Sequence, residues 1–66
     1  MQVILNGEPR EIPAGLTLQS LLEHLKLPQE RVAIERNREI IKRGLWGSVA
    51  VQPNDQLEIV HLVGGG

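Results

Sequence analysis

The sequence contains no cysteine, no phenylalanine and no tyrosine, and only one tryptophan. Each absence excludes something. Without thiols there is no disulfide framework, no thiolate metal site and no cysteine nucleophile, which fits a reducing compartment. One aromatic cannot build a stacking platform for bases, and a formal net charge of −1 leaves no basic footprint for nucleic acid. No apolar stretch approaches the roughly 20 residues of a membrane span. The run after Met1 is short and uncharged at its start, unlike a secretory signal. The chain is therefore expected to be soluble and cytoplasmic, and to bind neither nucleic acid nor membrane. It also lacks a "GxxxxGK[ST]" phosphate loop and any cluster with metal-ligand spacing.

What is present is a small set of aliphatic residues in ordered patterns. The 66 residues are 41% hydrophobic, so Leu, Ile and Val must make the core of one domain. A chain this short buries roughly 60% of the surface its unfolded form exposes. Five of the seven basic residues fall between Arg31 and Arg43, but Glu35 and Glu39 interrupt them. That mixture reads as a solvated surface, with attraction of an acidic partner as the lesser alternative.

Asn6-Gly7 stands between "MQVIL" and "EPREI", a strong hairpin signal because both turn positions need positive φ. Pro9 and Pro13 donate no ladder hydrogen bonds, so the second strand should be short and lie at an edge. Thr17 is an N-cap, and Leu18, Leu21, Leu22 and Leu25 follow at helical spacing until Pro28 prevents continuation. Leu16 and Leu21 have the spacing of a hydrophobic staple. "RVAIER" reads as a third strand, Asn37-Arg38-Glu39 as a turn, and Ile40-Ile41 as an apolar return. The stretch around Leu45 and Trp46 reads as irregular, with Trp46 covering one end of the core. "SVAV" predicts a further short strand, "QPND" a turn, and "QLEIVHLV" the longest strand. This order predicts an α+β domain: a mixed sheet of four to five strands with one main helix packed on one face.

Parity along the last strand singles out a surface. If Leu57 and Ile59 face the helix, Glu58, Val60 and Leu62 face away from it. Val60 and Leu62, with Val63, are then exposed apolar groups beside the glycines and form a candidate docking patch. Residues 64–66 are all glycine. The run is either a disordered end of no consequence or a segment suited to a narrow channel in a partner, since glycine lets backbone approach a neighbour on every side. A terminal α-carboxylate is ionised near neutral pH and is a poor electrophile, so it needs activation before it can accept a nucleophile. The histidines carry little chemistry: His24 belongs to the polar helix face, and His61 is either a partner contact or merely a strand end. Ser20 and Ser48 have no adjacent base. Asn54-Asp55 reads as a turn former.

The segments "LNGEPREIPAGLTLQSLLEHL", "VAIERNREII" and "DQLEIVHLVGGG", in this order, resemble the ThiS family of sulfur carriers in thiamine biosynthesis. The resemblance covers nearly the whole chain. It implies a ubiquitin-like β-grasp fold over residues 1–63 with a flexible tail at 64–66. It further implies a carrier rather than an enzyme, with no cofactor of its own. An E1-like ThiF-type adenylyltransferase would use ATP and Mg²⁺ to adenylate Gly66, whose carboxyl group would then become a thiocarboxylate. Gly64 and Gly65 would thread the partner's active site. The sulfur would come from cysteine through a desulfurase and pass to thiazole synthase (ThiG). Since a cysteine-free carrier cannot hold a persulfide, only the C-terminal acyl group remains for cargo. A MoaD-type carrier for molybdopterin, or a ubiquitin-like modifier, is the alternative within the same activation chemistry.

Overall fold

A computed structural model describes residues 1–63. The Asn6-Gly7 turn joins β1 (Gln2–Leu5) to β2 (Glu8–Glu11) as an antiparallel hairpin. Both turn residues take positive φ, 50° and 82°, as a two-residue turn matched to strand twist requires. β2 lies at the sheet edge, where Pro9 is tolerated.

The helix α1 (Leu18–Leu25) buries Leu18, Leu21 and Leu22. Thr17 caps it reciprocally with Ser20: the Ser20 amide donates to Thr17 Oγ1 (3.1 Å), and the Thr17 amide donates to Ser20 Oγ (2.8 Å). Serine replaces the usual Glu or Gln of a capping box. The helix stops at Lys26, which adopts a left-handed conformation two residues before Pro28. There the Leu27 amide donates to the Leu22 carbonyl (2.9 Å), closing the last turn.

A short 3₁₀ turn (Gln29–Arg31) leads into β3 (Val32–Arg36), which forms a second hairpin with β4 (Glu39–Ile41). This turn is tighter than expected. Glu39 already belongs to β4, and Arg38 takes φ 71° next to Asn37 at 51°. A second 3₁₀ segment (Arg43–Ser48) replaces the irregular stretch and buries Trp46. The Trp46 indole N–H donates to the Ile41 carbonyl (2.9 Å), and the Arg43 guanidinium lies 5.7 Å from the ring centroid. Trp46 is a buried member of the core.

The strand expected at "SVAV" does not form. Leu18 donates to the Val49 carbonyl and Val51 to the Leu16 carbonyl, with one bridge between Thr17 and Ala50. The facing segment turns into α1 at once, so the pairing has nowhere to extend.

β5 (Gln56–His61) is the longest strand and ends at His61, before Leu62 and Val63. The sheet order is β2-β1-β5-β3-β4, with β5 parallel to β1 and antiparallel to β3. The leucines of α1 pack on one face of this mixed sheet, against Val3, Val32, Ile34, Leu57 and Ile59. Ile12, Trp46 and Val51 close the margins of that core. Fully burying each aliphatic side chain contributes roughly 1.5–3 kcal/mol, which is how a domain of this size folds with a single aromatic.

Candidate functional site

The strand that leads to the glycines is the central strand of the sheet, and three polar residues fix it there. Asn6 extends the pairing beyond the end of β1. Its amide donates to the Leu57 carbonyl (2.8 Å), its Oδ1 accepts from the Ile59 amide (2.8 Å), and its Nδ2 donates to the Ile59 carbonyl (3.2 Å). Asn37 does the same from the other side. Its amide donates to the Gln56 carbonyl (2.7 Å), and its Oδ1 accepts from the Gln56 amide (2.9 Å). Asp55 is the third anchor and, among the described residues, the one buried charged side chain, 5% exposed. It accepts from Arg36 Nε (2.8 Å), the Gln52 amide (2.8 Å) and Asn37 Nδ2 (3.1 Å).

Burial raises the Asp55 pKa, but the hydrogen bonds from Arg36, Gln52 and Asn37, with the Arg36 charge, outweigh it and hold the carboxyl below its ordinary 3.8. Asp55 was expected only to form a turn. It is also the joint between the β3–β4 hairpin and the start of β5. Asn6 and Asn37 likewise were expected only as turn residues, and their anchoring of β5 was not read from the sequence.

With β5 fixed, parity places its side chains as expected. Leu57 and Ile59 are buried, while Val60 is 53% and Leu62 55% exposed. Val60 stands opposite Ala33 on the helix-free face. Leu62 lies beyond the strand, but its amide still donates to the Arg31 carbonyl (2.8 Å). Val63 is almost fully exposed. The candidates Gly64, Gly65 and Gly66 lie outside the described residues. One apolar contributor was missed: Ile40 on β4 is 74% exposed. Together with Ala33, Glu35, Glu58 and Val60 it lines a shallow hollow of about 130 Å³. Period-two alternation across β4 could have placed it there.

The opposite side of β5 differs. His61 is exposed and borders a hollow of about 230 Å³ with Leu5, Asn6, Arg10, Leu25, Leu27 and Ile59. His24 is exposed on the helix. Among the described residues no group of three or more His, Asp or Glu is placed to hold a metal ion. Nor is any described helix long and apolar enough to cross a membrane. The helix-free face offers shape and apolar contact beside an exit strand held on both sides.

The ThiS family model matches residues 3–66. The chain belongs to the ThiS family. Its 66 residues are 33% identical to the sulfur carrier protein ThiS of Escherichia coli (strain K12), covering 100% of both chains. A thiazole synthase of Magnetococcus marinus is 48% identical over 66 residues, and there the chain spans only 20% of that protein's length. A crystal structure of the thiamine biosynthesis protein ThiS from Geobacter metallireducens superposes with a TM-score of 0.86 at 32% identity, covering 100% of each chain. The ubiquitin-like fold expected of a ThiS protein is the fold observed: five strands in a mixed sheet with one main helix.

Proposed function

We propose that this chain is a sulfur carrier for assembly of the thiazole ring of thiamine, with the carboxyl group of Gly66 as its cargo site. The observation that carries this reading is the family match, which runs through the last glycine. The E. coli relative named as a sulfur carrier adds support over its whole length.

The chemistry follows from the carboxylate. Ionised at neutral pH, it is nucleophilic at oxygen and unreactive at carbon. In the active site of an E1-like ThiF-type enzyme, a Gly66 oxygen attacks the α-phosphorus of Mg²⁺-bound ATP and pyrophosphate leaves. The resulting acyl-adenylate is electrophilic at carbon. Hydrosulfide, released from the persulfide of a cysteine desulfurase by a thiol reductant, adds to that carbon; AMP leaves with the bonding pair and the thiocarboxylate remains. Thiazole synthase then takes the sulfur. Relatives that contain a segment like this whole chain within a protein named thiazole synthase support that acceptor, and favour thiazole over molybdopterin.

The chain's own part is delivery. ATP, Mg²⁺ and the catalytic groups come from the partner, and Val60, Leu62 and Val63 provide apolar grip beside the exit. From Val60 to Gly66 the backbone spans at most about 20 Å when extended. Docking on this face therefore puts the carboxyl group within reach of a recessed site, and Gly64 and Gly65 admit close approach of its walls.

Incubation with ATP, Mg²⁺, a ThiF-like enzyme and a sulfur source is expected to exchange one oxygen of the chain for sulfur, read by intact mass. Deleting Gly66, or adding one residue after it, should abolish the exchange while leaving the fold unchanged by circular dichroism. If those variants still acquire sulfur, Gly66 is not the site.

A further inference from the structure

On the helix-free face the β3–β5 register sets Glu35 directly opposite Glu58, one row from the Ala33–Val60 pair. Ile40 faces Glu35 from β4. Like charges directly opposite in an antiparallel pair destabilise the sheet. Neither glutamate takes part in an ion pair among the described residues, where Arg36 is committed to Asp55. Arg38 borders a neighbouring hollow with both glutamates, without pairing to either. The register places Glu11 on this same face, where the Met1 ammonium already neutralises it (2.8 Å), and no strand position there carries a cation for Glu35 or Glu58. The fold thus keeps an unfavourable acidic pair beside exposed Val60 and Ile40, with no partner of its own.

We propose that Glu35 and Glu58 are a recognition element: they receive an arginine or lysine from the activating enzyme while Val60 and Ile40 pack on apolar groups around it. This rests on the carrier reading above. The activating enzyme is the partner because it must hold a triphosphate within about 20 Å of the docked face. A surface that binds triphosphate is rich in Lys and Arg, so charge complementarity draws the acidic face toward that site. The apolar contacts hold it there, and the acidic pair sets orientation and encounter rate. One cation between two carboxylates also removes their mutual repulsion, a gain available only in the complex.

The test uses the full chain and its ThiF-like enzyme. Replacing both glutamates (Glu35→Gln with Glu58→Gln) should raise Kd for the enzyme about tenfold at low salt, with the difference shrinking as salt rises. The melting temperature should stay the same or increase. Glu58→Lys should weaken binding further, and His24→Ala on the helix should change nothing. Wild-type affinity and salt dependence in the double glutamine variant would overturn the proposal, as would absence of binding by the wild-type chain. Intact mass of the wild-type chain, recorded in the same reactions, separates the two readings. If sulfur is acquired but the glutamine variant binds normally, only the recognition element fails. If the wild type binds through the glutamates but acquires no sulfur, the carrier chemistry fails and the docking face stands.

Discussion

Replacing Asp55 with alanine should cost this domain about 3 kcal/mol. Three donors converge on its carboxylate, and the substitution strands all of them. A charge-assisted hydrogen bond is worth about 1.5–3 kcal/mol net and a neutral one about 1 kcal/mol. The Arg36 bond belongs at the lower end, because its side chain is 26% exposed and water can replace part of the loss. A domain of this length has about 3–10 kcal/mol in hand, so the variant is marginal at best. The expected fall in midpoint is about 15 °C. Trp46 is the sole tryptophan and is buried, so its fluorescence reports urea or thermal unfolding without any label.

A second signature comes from pH. The folded-state pKa of Asp55 lies below its ordinary 3.8, so its contribution is complete above that value and is lost as pH falls through the depressed folded pKa. Asp55→Asn should lose this part of the acid dependence. A loss under about 1 kcal/mol on Asp55→Ala, or an unchanged acid limb in Asp55→Asn, would refute the claim that Asp55 anchors β5.

Other residues make separate predictions. Asn6→Ala should destabilise by about 2–3 kcal/mol, since it loses two side-chain hydrogen bonds to Ile59 and forces alanine into positive φ; Asn6→Gly should cost about half as much. Urea titration distinguishes the two. Leu22→Ala should cost about 2–5 kcal/mol through the cavity it leaves under the helix, read from the same transition. Thr17→Ala should cost about 1 kcal/mol by removing the side-chain cap, and amide exchange should localise the loss to the first turn of α1.

How far the sequence reached depended on how local each determinant was. The Asn6-Gly7 hairpin and the leucine face of α1 are written in adjacent residues, and both are found as read. Inward and outward parity along β5 was legible too, because Leu57 and Ile59 alternate with Glu58 and Val60. "SVAV" misled for the opposite reason. Its alternation is strand-like, but whether a strand forms depends on its partner, and the partner turns into a helix. Asp55 was underread because its donors at Arg36 and Asn37 lie some twenty residues away in the chain, where no local pattern points to them. Arg38 has no sequence signature for positive φ and is carried there by the tightness of its hairpin. The parallel pairing of β1 with β5 is likewise a property of the assembled sheet.

That pairing has a mechanical consequence. A partner that grips the glycines and draws them inward pulls β5 along its own length. β5 is bonded on one side to β1 and on the other to β3, with Asn37 fastened to its first residue, Gln56, and Asn6 to Ile59 in its middle. Such a pull loads these bonds together, in shear, instead of opening them one at a time. The strand that leads to the glycines is thus the one best placed to bear tension without the sheet being unravelled.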